Sequence, residues 1–356
     1  MTNKVSICDL LQFVSETLIA CLVGSDEAKT TAEALVTTDA MGVFTHGTKL
    51  LAGYLKKLRG GGYSATASPE VMREGPAWAV IDGQSGLGQI GCSAAVQIAI
   101  RKARSVGISY VGLVNTGHIG AAGYFAAEAA RQGFIAMVTG NDIPSVAAPG
   151  SRKAVLGSNP IALAIPVTGR DPILLDIATA AVAGGKVYAA IARGEPIPPT
   201  WLIGPDGHPT TDGKLYPDHV ALAPMAGHKG YGFGLWCELL SAILPGGSST
   251  WDVGSWIFDP ADRPSWHNAS FTLYDVAAIA GQAAFDARLN RLIDEIHSAP
   301  AADGVEKVIL PGEREWACYH RSVESGIELP PDVTAKLREA SALTCIKSTW
   351  LDQATP

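Results

Sequence analysis

The sequence predicts a mixed α/β (α+β) chain that is not of the Rossmann type. Short apolar strands alternate with alanine-rich or amphipathic helices along most of its length. Gly86-Leu-Gly88-Gln-Ile-Gly91, between a strand and a helix, has the outline of a dinucleotide fingerprint. Yet no Asp or Glu occurs from Gly83 through Ala127 to hold a ribose. Glycines at these positions suit close packing of turn against helix instead. No internal repeat or low-complexity linker divides the 356 residues, so interleaved domains are expected.

Taken in order, Ile7, Leu10, Leu11, Val14 and Leu18 share one helical face. Ser25 is placed as N-cap of a second helix, which delivers Asp39-Ala-Met-Gly-Val-Phe-Thr45-His46-Gly47. A third helix, Thr48 to Arg59, sets Tyr54 one turn from Leu50 and Leu51 and stops at Gly60-Gly61-Gly62. Strands follow at Ala77–Ile81, Tyr110–Val114, Phe134–Thr139 and Ile161–Val167, and a buried-type strand, Ile173 to Thr179, carries Asp176 near its end. Helices are expected from Gly91 to Lys102 and from Ala121 to Ala130. Five prolines make Arg193 to Gly213 an extended loop. His228-Lys229-Gly230 opens a strongly apolar helix through Ile243. Gly246 to Asn268, with Trp251, Trp256 and Trp266, reads as irregular. Helix-like residues from Asp275 to His297, a strand Val305–Leu310 and a last helix, Pro331 to Ala342, complete the chain.

The composition excludes several roles. A net charge of -7 without any basic block argues against nucleic-acid or membrane-surface binding. Apolar runs break well before bilayer-spanning length, and Asp9 and Glu16 interrupt any signal-peptide layout. Six cysteines without CxxC spacing read as reduced residues of a cytoplasmic protein and build no metal site. No GxSxG elbow supports a hydrolase.

The chemistry gathers at Val114-Asn115-Thr116-Gly117-His118-Ile119-Gly120. A histidine where a strand gives way to a helix sits at a mouth, and imidazole exchanges protons near neutral pH. This stretch by itself equally fits a turn histidine satisfied by a carbonyl. Lys229 at a helix start suits a phosphate or carboxylate. Asn141 and Asn159 are either polar contacts to substrate or nicotinamide, or turn caps.

Gly42-Val-Phe-Thr45-His46-Gly47 with Tyr54, Asn115-Thr-Gly-His118-Ile-Gly-Ala, Gly157-Ser-Asn159-Pro160, Asp176-Ile177-Ala178-Thr179, Lys229-Gly230-Tyr231-Gly232 and Pro311-Gly312-Glu313 occur in this order. Together they resemble the malate/L-lactate dehydrogenases of the second type. That group includes ureidoglycolate and sulfolactate dehydrogenases, diketogulonate reductase and piperideine-carboxylate reductase. The resemblance spans residues 5 to 343.

It implies a non-Rossmann, sulfolactate-dehydrogenase-like fold with a largely antiparallel sheet in the cofactor domain and packed N- and C-terminal helices. The expected grouping is 1–75 with 315–356 (helical), 76–125 with 225–314 (central α/β), and 126–224 (nicotinamide-binding sheet). It also implies a homodimer, and reduction of a small 2-oxo acid, or alternatively a cyclic or N-alkyl 2-imino acid, with NADH or NADPH. On this reading His118 is the general acid and base, and His46 orients substrate or is the alternative donor. Thr45, Lys49, Tyr54, Asn141 and Asn159 face substrate. Asp176, Ile177, Ala178, Thr179, Lys229, Gly230, Pro311, Gly312 and Glu313 face the cofactor. One departure stands out: many members carry an arginine where this chain has Leu50. Lys49, one position round the helix, lacks the planar fork that clamps a carboxylate.

Overall fold

A computed structural model of the chain describes residues 4–352. Residues 1–3 and 353–356, which belong to the expected helical grouping, lie outside the described residues.

A seven-stranded sheet organises the centre, in the spatial order Glu70–Gly75, Trp78–Asp82, Ile108–Thr116, His267–Asp275, Phe134–Gly140, Ile161–Ile165, Ile173–Ile177. Trp78–Asp82 and Ile108–Thr116 run parallel, joined by helix Gly88–Val106, and every other neighbouring pair is antiparallel. The fold is therefore largely antiparallel, as expected. Its middle strand, His267–Asp275, was not legible as one; the sequence around it reads as irregular chain. Alternation explains its placement: Ala269, Phe271 and Leu273 are fully buried on one face and pair with Leu113, Val111 and Ser109 of the neighbouring strand. That face packs on helices Gly88–Val106 and Ala122–Ala130, whose small residues allow a close approach.

The N- and C-terminal pieces share a second core. Leu10, Phe13 and Leu18 from helix Ile7–Ile19, Leu35 from Ser25–Ala40 and Leu51 and Leu55 from Leu51–Gly60 meet Val333 and Leu337 from Pro331–Thr344. Strand Lys4–Val5 pairs with Ile327–Glu328. A small five-stranded sheet, Pro209–Thr210, Leu202–Ile203, Ala221–Leu222, Val146–Ala147, Ala154–Leu156, covers a third core around Val187 and Ile197. Residues 126–224 thus divide between two sheets.

Several local expectations change. Ser25 is the first helical residue, and Gly24 holds the cap position. Val305–Leu310 has no regular structure. Helices Gly184–Ala192 and Glu313–Ser325 were not foreseen, and the proline-rich loop contains two short strands. Among the described residues no helix is long and apolar enough to cross a membrane.

Candidate active site

Strand Ile108–Thr116 ends against the start of helix Gly88–Val106, and His118 follows two residues on. Gly88 makes this possible: a Cβ there would stand 2.4 Å from the His118 carbonyl oxygen. The glycines of the fingerprint-like stretch therefore seat the His118 turn, as packing rather than phosphate binding requires.

The His118 ring is held from behind. Its Nδ1 lies 2.8 Å from the Tyr54 hydroxyl and 3.4 Å from the Gly120 N–H. Gln89 Nε2 donates to the Tyr54 oxygen at 3.4 Å, which leaves the Tyr54 proton for His118. With two donors aimed at Nδ1, the neutral ring carries its own proton on Nε2. The His118 N–H donates to Tyr63 Oη (3.0 Å), which meets Ser265 Oγ at 3.0 Å. Burial, with His267 beside it, pushes the His118 pKa down to about 3 against the opposing pull of Asp142. Burial raises Tyr63 to about 12 and Tyr54 further still, so both are neutral donors.

His46 stands 6.1 Å from His118, ring centroid to centroid, with 27° between planes. Its turn is anchored from helix Ser25–Ala40, where the buried Asp39 Oδ2 accepts the Thr48 N–H (3.1 Å) and hydroxyl (2.5 Å). The Thr45 hydroxyl bonds His46 Nδ1 at 2.9 Å. Burial lowers the His46 pKa, and the carboxylates of Asp176 and Asp142 act in the opposite direction. Asp176 Oδ2 in turn accepts the Gly123 N–H at 2.7 Å, at the start of helix Ala122–Ala130. Asp176 and Asp142 pull the His46 pKa up, whereas on His118 the pull of Asp142 is opposed by the neighbouring His267 and His46.

Three site residues were not foreseen. His267, at the start of the missed strand, stands edge-on to His118 at 5.5 Å and bonds Asp142 Oδ1 at 3.1 Å and Ser265 Oγ at 3.0 Å. Burial would raise Asp142, but the His267 bond holds it below the ordinary carboxylate value. Trp256 stacks on His118 at 4.9 Å and 26°. Nothing in the local sequence pattern marks Asp142 or His267; the irregular, tryptophan-bearing Gly246 to Asn268, which contains Trp256 and His267, was the available signal.

Other expected residues are engaged elsewhere. Lys49 pairs with Asp332 at 2.7 Å on the exterior, so its ammonium is no substrate clamp. Asn141 and Asn159 are buried framework residues, not substrate contacts. Asn141 donates to Ser248 O and Glu238 Oε1 and accepts from Asn268, while Asn159 donates to Gly234 O and Glu238 Oε2. They hold the buried Glu238 carboxylate, which also accepts the Thr250 N–H. Thr179 is turned inward onto the Ser158 and Asn159 carbonyls. Pro311 O accepts the Leu174 N–H, so Pro311-Gly312-Glu313 lines the edge strand, with Glu313 bonded to His297 at 2.6 Å. Lys229 is exposed in the first turn of His228–Glu238, and Gly230 fits where a Cβ would strike Met225 O. Among the described residues no cluster of three His, Cys, Asp or Glu could hold a metal ion.

The malate/L-lactate dehydrogenase family model matches residues 5–338. The chain belongs to this family. It is 34% identical over 337 residues to the malate dehydrogenase of Pyrococcus horikoshii, covering 93% of this chain and 92% of that protein. It is 30% identical over 298 residues to the Delta(1)-pyrroline-2-carboxylate/Delta(1)-piperideine-2-carboxylate reductase of Pseudomonas putida (84% and 85%). The solved sulfolactate dehydrogenase of Methanocaldococcus jannaschii superposes with a TM-score of 0.89 at 30% identity, over 97% of this chain and 98% of that one. As a member of this family the chain is an NAD- or NADP-dependent oxidoreductase.

The residues present fit a nicotinamide cofactor. Helix His228–Glu238 presents an exposed lysine beside first-turn N–H groups without helical acceptors, a donor set suited to a diphosphate. Asp176, exposed at the edge strand, keeps one oxygen beyond its Gly123 bond.

Proposed function

We propose that His118 and His46 together handle the oxygen of a small 2-oxo or 2-hydroxy acid, in unlike roles. The observation that carries this is the pair of near-parallel imidazoles in unlike settings: His118 is backed at Nδ1 by the Tyr54 hydroxyl and the Gly120 N–H, whereas His46 is held at Nδ1 by the Thr45 hydroxyl and Asp176 acts on it alone of the two. His118 stays neutral and offers its Nε2–H to the substrate oxygen, orienting and polarising it. Burial lowers the His46 pKa too, but Asp176 and Asp142 oppose that shift, and His46 gives the proton during reduction and takes it during oxidation. Bound nicotinamide supplies or accepts the hydride. This reverses the roles expected of the two histidines, since a ring with a pKa near 3 makes a poor reservoir of protons. Thr45 orients His46, and Tyr54 acts through His118 as a positioning residue.

Lys229, Gly230, Asp176, Ile177 and Ala178 are the residues we assign to the cofactor. Thr179 and Pro311-Gly312-Glu313 shape the adjoining strand edge. A buried leucine at position 50, where the family often carries arginine, and the acids at the site also favour a second reading, reduction of a 2-imino acid, whose iminium nitrogen is positive where a carbonyl is neutral. The grouping of residues 1–75 with 315–356 as a helical unit is supported by the shared core described above. A homodimer is supported by the exposed Phe233, Trp236, Ile243 and Leu244 along one helix. We place the protein in the cytoplasm, consistent with six free cysteines.

The deciding experiment follows nicotinamide absorbance with NADH and NADPH against pyruvate, oxaloacetate, pyruvate with methylamine, and piperideine-2-carboxylate. His46→Gln abolishes turnover on this reading, while His118→Gln leaves a measurable remainder. Retention of full activity in His46→Gln refutes the assignment, and the better electrophile separates oxo from imino acid.

A further inference from the structure

Residues 254–265 fold back over helix Leu51–Gly60 and are fixed there from several sides. Lys57, buried, donates to Pro260 O (2.9 Å), Arg263 O (2.8 Å) and Asp259 O (3.5 Å). Gly62 N–H bonds Ala261 O at 3.0 Å. Ser255 Oγ accepts the Ile257 and Phe258 N–H groups. Gly53 clears room for the ring itself, since a Cβ there would stand 2.6 Å from Trp256 Cζ3. These contacts lay the Trp256 indole against Tyr54 at 5.3 Å and on His118 at 4.9 Å.

We infer that Trp256 is a specificity-determining residue, the wall against which the substrate's side chain lies, and that it selects monocarboxylic 2-oxo acids bearing an apolar substituent over dicarboxylic ones. The inference rests on the reaction proposed above. A substrate oxygen within hydrogen-bond reach of His118, about 3 Å, brings its carbon and that carbon's substituent into van der Waals range of the stacked indole. An indole face carries a negative quadrupole. Asp142 and Asp176 bear on the same site, Lys49 is committed to Asp332, and position 50 is a buried leucine. A second carboxylate on the substrate therefore meets an aromatic face and the Asp142 carboxylate beyond His267, whereas methylenes gain contact.

The test measures kcat/KM for pyruvate, 2-oxobutyrate, 2-oxo-4-methylpentanoate and oxaloacetate in the wild type, Trp256→Ala, Trp256→Phe and Trp251→Phe. In the wild type the branched acid exceeds pyruvate by about tenfold and oxaloacetate falls about tenfold or more below it. Trp256→Ala removes the preference for the branched acid mainly through KM, so that the ratio of kcat/KM between the branched acid and pyruvate falls to about one, and Trp256→Phe restores most of it. Trp251, an exposed ring three residues before this segment, gives an unchanged series as Trp251→Phe. Preference for oxaloacetate in the wild type, or equal loss on every substrate in Trp256→Ala, overturns the inference. If Trp256→Ala does not fold, the wild-type order and Trp256→Phe decide. Calorimetric binding of 2-hydroxy-4-methylpentanoate and malate, with oxidised cofactor present, reads the same order without turnover. The branched acid binding tighter with no turnover refutes the reaction and keeps the wall. Malate binding tighter, or neither binding, overturns the wall.

Discussion

Asp39 offers the sharpest quantitative check, because it ties a buried charge to the turn that carries His46. The carboxyl is fully buried, with Oδ2 engaged by Thr48 and Oδ1 without a partner, and burial raises its pKa to about 7. In the unfolded chain the same group ionises near its ordinary value, about 3.9. Between those values the folded protein holds a proton that the unfolded chain has lost. Stability from this group is thus fully present below about pH 4 and declines as pH rises through 7. At 1.36 kcal/mol for each pH unit of the window, the decline amounts to about 4 kcal/mol. Asp39→Asn keeps the acceptor for Thr48 and removes the ionisation, so its stability lacks this slope. Urea unfolding of both proteins, followed by tryptophan fluorescence from about pH 4.5 to about pH 8, measures the difference while other titrating groups cancel. The variant gains on the wild type as pH rises, by about 3 kcal/mol across the range. Parallel curves would mean that Asp39 is charged in the folded protein throughout, and would refute the reasoning.

Other consequences are direct. Tyr54→Phe removes the donor that fixes the His118 tautomer and leaves Gln89 Nε2 unpaired, so kcat drops about 10- to 100-fold with cofactor affinity, read by fluorescence titration, unchanged. Lys49→Ala changes the substrate KM by less than about threefold, because the ammonium serves only a solvent-exposed pair with Asp332; a tenfold rise would return Lys49 to the site. Lys57→Met strands three carbonyls of the segment that carries Trp256, costing about 3 kcal/mol in a chemical-denaturation midpoint and broadening substrate preference.

What could be read ahead follows the range of the signal. Apolar periodicity located the flanking strands at Ile108–Thr116, Phe134–Gly140 and Ile161–Ile165, and the lack of a ribose acid removed the Rossmann alternative, because both depend on neighbours in sequence. The central strand escaped because its polar faces, Asn268 and Ser270, are buried against Asn141 and Thr139 across the sheet, and that burial is a property of the partners. With the strand went His267, and with His267 the role of Asp142. Likewise Asn141 and Asn159 look like ligand contacts until Glu238 arrives from a helix some eighty residues later and takes up their amides. His118 and His46 were visible, since small residues on each side mark a backbone that must turn tightly. Their division of labour was not. The division we propose rests on Tyr54 behind His118 and on Asp176, whose carboxylate acts on His46, and these come from separate elements. A site whose residue types are local but whose proton affinities are assembled by the fold shows its chemistry early and its mechanism only in three dimensions.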